Sequence, residues 1–248
     1  MNDGTKIDVA VSVMPMRFTS HFQEMSDFLE LIGFSARVRR NDSWLTVAGE
    51  AGMVALHSTE TSATHSTSGR TDLLFAISDA DALSTLYSAA GYRDVEIYDE
   101  AYGRVLRVRH PDGTELSFDE EADDQYGYEV TEPHPGHGVV SMPIRFDSPT
   151  STIGEILALV GFERLDEGDD AAWRVWSRPE GGSVALHPPG TDHVPGSHQL
   201  AFRTREPLGE LAARLEAAGY AGVSVSEQYG GELQVTDPDG QSVLIQPR

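Results

Sequence analysis

Apolar residues recur at alternate positions over short runs of this chain, and two longer runs between them carry helical spacing. Met14, Met16 and Phe18 alternate with other side chains and predict a strand. Ser20 then stands as an N-cap before a helix that ends at Gly33. Three short strands are expected next, at Ser35 to Arg40, Ser43 to Ala48 and Met53 to His57, joined by Asn41-Asp42 and by glycine-containing turns. The order is β-α-β-β-β. It repeats at once: a strand from Leu73 to Ile77, a helix from Ala80 to Ala90 closed by Gly91, then strands at Val95 to Tyr98, Arg104 to Arg109 and Glu115 to Phe118.

The whole string then recurs. Met14-Pro-Met-Arg-Phe-Thr-Ser20 returns 128 positions later as Met142-Pro-Ile-Arg-Phe-Asp-Ser148, and Gly33-Phe34 returns as Gly161-Phe162. Val54-Ala-Leu-His57 matches Val184-Ala-Leu-His187, Gly91-Tyr92 matches Gly219-Tyr220, and Pro111-Asp-Gly113 matches Pro238-Asp-Gly240. Offsets stay between 127 and 130, so the chain is an internal duplication. Two domains follow, over residues 8–120 and 137–248. The linker, 121–136, is rich in Asp, Glu, Pro and Gly.

Two βαβββ units per half, a Gly-Phe after the first helix, a Gly-Tyr after the second, and a Tyr-Gly (Tyr102-Gly103, Tyr229-Gly230) preceding a Pro-Asp-Gly hairpin resemble the vicinal oxygen chelate superfamily of glyoxalases, extradiol dioxygenases and bleomycin-resistance proteins. The resemblance spans nearly the whole chain. It implies an α+β fold of two tandem domains, each curling its two units into a half-open barrel around a ligand cup.

Strand alternation sorts residues by face. With Met14, Met16 and Phe18 covering the helices, Val13, Pro15 and Arg17 are expected toward the first cup, and Ser141, Pro143 and Arg145 toward the second. Ala55 and His57, and likewise Ala185 and His187, should face inward, as should Asp72, Leu74 and Ala76 and their matches Gln199, Ala201 and Arg203. Metal enzymes of the superfamily place a His on the first strand, a His or Gln on the fifth and a Glu on the eighth, and some add a Glu on the fourth. The resemblance puts Val13, Asp72, Ser117 and Ala55 at those places in one domain and Ser141, Gln199, Leu244 and Ala185 in the other. Neither set can hold a divalent cation, so no metal and no other cofactor is expected. His198, beside Gln199, is the residue that a one-position slip would bring to a ligand position.

His57 and His187 are the sharpest candidates for chemistry, as general bases or ligand hydrogen-bonders; the alternative is a strand-end histidine bonded to a loop carbonyl. Arg17 and Arg145 would clamp a carboxylate or phosphate, or else pair with an internal acid. Trp44 and Trp173, at matching positions, would stack a planar ligand or pack the core, with Tyr102 and Tyr229 read more as packing. Asp72 and Gln199 complete the ligand-binding candidates. The Pro-Asp-Gly motifs read as turns.

Composition narrows the partners. With 18 Lys plus Arg against 40 Asp plus Glu, the net charge of −22 repels phosphate backbones and anionic lipid, so nucleic acid and membrane are excluded. The absence of cysteine removes disulfides, thiolate metal sites and cysteine nucleophiles. No basic stretch followed by an apolar run opens the chain, and a cytoplasmic protein is expected, with a homodimer left open. Three functions compete. The first is a metal-free protein that binds or sequesters a planar or anionic small molecule, of the resistance type. The others are a lyase or isomerase using the cup histidines, and a metal-dependent glyoxalase or dioxygenase with a displaced site.

Overall fold

Proline has no N–H to give to a sheet ladder, and at Pro15 the first long strand divides in two. The computed structural model describes residues 9–63, 65–100, 103–121, 127–165, 172–227 and 231–248. Its first half runs β1 (Val11–Val13), β2 (Met16–Thr19), α1 (Phe22–Leu31), β3 (Ser35–Arg40), β4 (Trp44–Ala48) and β5 (Met53–Ser58). It continues with β6 (Thr71–Asp72), β7 (Leu74–Ile77), α2 (Ala80–Ala89), β8 (Asp94–Glu100), β9 (Gly103–Arg109) and β10 (Glu115–Glu120), and a linker strand β11 (Glu129–Val130) follows. The second half repeats the order: β12 (Val140–Ser141), β13 (Ile144–Phe146), α3 (Ile153–Leu159), β14 (Glu163–Leu165), β15 (Arg174–Arg178) and β16 (Gly182–His187). Then come β17 (His198–Gln199), β18 (Ala201–Thr204), α4 (Leu208–Ala217), β19 (Ser224–Ser226), β20 (Glu232–Thr236) and β21 (Ser242–Pro247).

In the first half the sheets have the orders β11-β3-β4-β5-β2-β6 and β1-β7-β10-β9-β8. β2 lies parallel to β5 and antiparallel to β6, whereas β1 lies antiparallel to β7. The two divided strands therefore join both sheets into one curved surface. The second half gives β14-β15-β16-β13-β17 and β12-β18-β21-β20-β19, the same architecture. One helix start differs from expectation. His21, whose side chain makes no capping bond, occupies the cap of α1, because the Ser20 hydroxyl lies 2.9 Å from Ser68 Oγ instead. Gly33 does end that helix, at a φ of 112° that favours glycine.

The helix-covered faces of the halves share two cores. Phe28 and Leu29 of α1, with Val54 and Leu56 beneath them, pack with Phe202, Leu211, Leu215 and Ile245 of the second half. Leu83 and Tyr87 of α2, with Phe75 and Phe118, pack with Ile156, Leu157 and Phe162, and the Tyr87 hydroxyl donates to the Ile156 carbonyl at 3.0 Å. Neither half can bury its helices without the other. Between these cores the backbones meet directly. Val13 N donates to Gly181 O at 2.7 Å and Ser141 N to Ala51 O at 3.0 Å. The repeat-related Gly52 and Gly182 face one another there, and a Cβ on Gly52 would stand 2.9 Å from the Ser141 Cβ.

Arg17 sits on this seam and does not face the cup. In the register of β2 on β5 it neighbours Leu56 of the helix-side core, while Met16 neighbours Ala55 and Phe18 neighbours His57. The first strand is thus turned over relative to the expectation: its apolar row lines the cup and its polar row meets the other half. Only 1% exposed, Arg17 forms an ion pair at 2.9 Å with Asp237 and donates to the Gly69 carbonyl. Burial lowers the Arg17 pKa and raises that of Asp237, each against the pull of the partner charge. Desolvation outweighs the attraction, so the pair is worth little relative to apolar residues but is costly to break. The Pro-Asp-Gly turns also do more than turn. Asp239 accepts from Thr19 at 2.9 Å and Asp112 from Thr152 at 2.7 Å, each reaching across to the opposite half. Truncation by Arg17→Ala is expected to cost about 3–5 kcal/mol in urea unfolding, while Arg17→Met combined with Asp237→Leu regains most of it; equal losses for the single and the double variant would refute this account.

Candidate functional site

Two faces of each curved sheet are defined by register, and one of them is free of helices. In the first half this face carries Met14, Met16, Trp44, Ala48, Met53, Ala55 and Ala76, which form their own apolar cluster apart from the helix-side cores. Further along the same face, Leu74 pairs with Ser117 and Ala76 with Asp119 on β10, and Ser117 and Asp119 pair in turn with Arg107 and Val105 on β9. This is the first cup: a floor of small and unbranched side chains, His57 at one end and Asp119 at the other.

His57 lies with its ring centroid 5.5 Å from Phe18 and 5.7 Å from Trp44, edge-on to the indole. Its Nδ1 is 2.9 Å from the Ser58 carbonyl oxygen, which makes Nδ1 the donor and leaves the Nε2 lone pair as an acceptor. His187 is held in the same way, Nδ1 lying 2.7 Å from the Pro188 carbonyl, with Trp173 at 6.0 Å. A backbone carbonyl orients each ring, and no carboxylate does. Asp72 lies on the cup face beside Met16, its charge matched by a two-pronged contact with Arg70 at 2.9 and 2.8 Å. Gln199 occupies the equivalent place beside Ile144 and donates to the Ser242 carbonyl at 2.9 Å.

The second cup departs from the first in what fills it. Ile144 replaces Met16, Val175 replaces Thr46, Leu244 replaces Ser117 and Gln246 replaces Asp119, and the face packs as Met142, Ile144, Phe146, Val175, Ala185 and Ala201 with Trp173 and Leu244 against them. The loop after β16 folds back over this cluster. His193 stacks on Phe146 with centroids 3.5 Å apart and planes at 21°. The corresponding ring of the first cup, Phe18, carries the Arg70 guanidinium at 5.6 Å.

Arg145, like Arg17, turns away from its cup. It pairs with Asp147 at 3.2 Å, and its Nη1 lies 3.2 Å from His198 Nε2. His198 is in register with Arg145 and shares its face, so the slip that would have made it a cup ligand does not occur. Burial, reinforced by Arg145, lowers the His198 pKa to about 3, and the ring stays neutral. Neither of the two arginines expected in the cups faces one. Tyr102 and Tyr229 lie outside the described residues. A separate cleft of about 370 Å³, lined by Glu30, Phe34, His134 and His137 among others, lies at the end of α1 and outside both cups.

Asp119 is the site residue that sequence reasoning missed. Burial, with Glu100 nearby, pushes its carboxyl up to about 6. Alternation had located the cup face of the eighth strand at Ser117, and Asp119 is two residues on, hence on the same face. The signal was present but was not followed to the strand's end.

No protein-family model matches the sequence, and comparison with curated proteins gives no match. Solved structures do match over nearly the whole chain. A catechol 2,3-dioxygenase superposes with TM-score 0.59 at 12% identity, covering 95% of this chain and 91% of that one. The 2,3-dioxygenase LapB from Pseudomonas sp. KL28 gives 0.61 at 12%, covering 96% and 91%. The Mn(II)-bound glyoxalase from Novosphingobium aromaticivorans gives 0.58 at 14%, covering 95% and 80%. The chain has the tandem vicinal oxygen chelate fold. At these identities the likeness carries the fold and no activity.

The donors at these cup positions do not suit a divalent ion such as the Mn(II) of that glyoxalase. The helix-free face presents Met14 and Met16 from the first strand, the Arg70-bound Asp72 from the fifth and Ser117 from the eighth, and the second cup presents Met142, Gln199 and Leu244. Among the described residues no group of three His, Cys, Asp or Glu is arranged to hold a metal ion. Thioethers, a serine hydroxyl and one neutralised carboxylate make a poor site for a hard divalent cation, and His57 and Asp119 stand at opposite ends of the cup. Because the folded state holds the Asp119 proton more tightly than the unfolded chain, its ionisation destabilises the fold above about pH 6 and costs nothing below the ordinary Asp value near 4. Asp119→Asn is therefore expected to melt higher than the parent at about pH 8, with the gap closing toward about pH 4; a gap that ignores pH would contradict this.

Proposed function

We propose that the protein binds a small organic molecule in its first cup without a metal, in the manner of a sequestration or resistance protein. The observation that carries this reading is the contrast between the cups. The first offers Ala48, Ala55, Ala76, Met14, Met16 and Met53 beneath a rim of Trp44, His57 and Asp119, whereas branched side chains and the His193 loop occupy the second. Unbranched methionines adapt to a ligand at little cost, and an apolar floor with few polar groups at its edge is the usual composition of a small-molecule site. One ligand per chain follows.

A second reading has a specific support. The Ser58 carbonyl orients the His57 ring through Nδ1 and leaves Nε2 directed elsewhere, and a ring so held would serve a lyase or isomerase as a base. A metal-dependent reaction at a displaced site loses its best candidate, since His198 lies outside the cup beside a guanidinium.

Purified without chelator, the protein is expected to carry far less than one equivalent of manganese, iron, nickel or zinc, and these ions should leave its melting temperature unchanged. Near-stoichiometric metal would overturn the proposal. Leu74→Trp, which fills the first cup, should abolish the thermal shift given by any small molecule found in a ligand screen, and Leu244→Trp in the second cup should leave that shift intact.

A further inference from the structure

Every arginine on the cup face around Asp119 is already matched to another acid. Arg37 makes a two-pronged contact with Glu121, one arm at 3.0 Å. Arg107 is paired with Glu96, and Arg109 meets Glu115 at 2.6 Å and Asp94 at 3.2 Å. Arg104, on the neighbouring strand, meets Asp81 at 2.9 Å and Glu120 at 3.1 Å. Asp119 is left over. Among the described residues no cation and no hydrogen-bond donor meets its carboxylate, and its neighbours in the sheet on either side are Ala76 and Val105.

A half-buried carboxylate on the cup face between an alanine and a valine, with neither counter-ion nor protein donor, is an unmatched charge open to a ligand. It is resolved by an occupant that brings the missing charge. The groups around it specify that occupant further. On the same cup face Tyr98, paired to Val105 across β8 and β9, is partly exposed and supplies an aromatic side chain of the kind that can accompany a cation. Beneath lie Met14, Met53, Ala48 and Ala76, which suit an apolar body. The remaining charges facing this end are Glu96 and Glu100 of β8, Arg107 of β9, Glu115 of β10, Glu121 just after it and Arg37 of β3, so an anion would meet several acids and no unengaged arginine.

We propose that Asp119 anchors the cationic nitrogen of a small amine whose apolar part lies on the methionine and alanine floor of the first cup, with the Tyr98 ring beside the charge. This rests on the first-cup reading and adds the charge class of its ligand. It reverses the anionic ligand suggested by the sequence, because Arg17 is engaged with Asp237 across the seam and Arg145 with Asp147, both away from the cups.

Three probes of one size test it: 2-phenylethylamine, 2-phenylethanol and 3-phenylpropionate, titrated by NMR against the full chain, Asp119→Asn, Tyr98→Leu and Leu74→Trp. Asp119→Asn removes no partner of any other group, so it is expected to fold. The amine should bind about tenfold or more tighter than the alcohol, and the acid should not bind. Asp119→Asn should erase the preference of amine over alcohol, and Leu74→Trp should abolish binding altogether. The amine's affinity should also fall as pH drops through about 6, where the carboxyl takes up its proton, and Asp119→Asn should remove that dependence. If alcohol and amine bind equally, with Leu74→Trp blocking both and Asp119→Asn changing neither, the anchor is wrong and the cup reading survives. Amine binding that persists in Leu74→Trp overturns both, and an amine that fails to bind at millimolar concentration overturns the anchor.

Discussion

A guanidinium can be buried in protein only where an acid is brought to meet it, and the Arg17–Asp237 pair is the contact on which the arrangement of this molecule turns. Arg17 belongs to the first strand of one half and Asp237 to the last hairpin of the other. Their meeting decides which face of that strand looks outward to the seam. Once Arg17 and Thr19 are committed to Asp237 and Asp239, alternation sends Met14, Met16 and Phe18 into the cup. The composition of the cup floor is thus a consequence of an ion pair formed outside it.

The duplication has not been kept symmetric, and the asymmetry follows from the same seam. Asp237 has His110 as its counterpart, so Arg145 finds no equivalent acid across the interface and pairs instead with Asp147 beside it, with His198 held neutral against it. The cups diverge in parallel. Where the first has Met16, Thr46 and Ser117 the second has Ile144, Val175 and Leu244, and a histidine stacks on Phe146 beside them. A fold that encloses two cups needs only one of them for binding, and the other can be filled to give stability.

Much of the architecture was legible in the chain. Duplication, βαβββ order, strand and helix limits to within a few residues, and the inward direction of Ala55, Asp72, Leu74 and Ala76 followed from periodicity and turn residues. Local rules suffice there because period and turn chemistry are properties of neighbouring residues. They failed at Ser20, whose hydroxyl was claimed by Ser68 from a distant loop, and at the first strand, where apolar residues were assigned to the helix side.

Sequence by itself determined the duplication and the repeated βαβββ order, and with them the tandem of two vicinal oxygen chelate folds. Tertiary structure alone decided which row of the first strand faces the cup, that Arg17 pairs across the seam while Arg145 pairs within its own half, that His198 is a buried neutral ring, and that Asp119 is left without a protein partner among the described residues. The physical reason is that alternation defines two faces of a strand without naming them. Which face is buried, and which charge is matched, depends on groups more than 200 residues away along the chain, as Arg17 and Asp237 are.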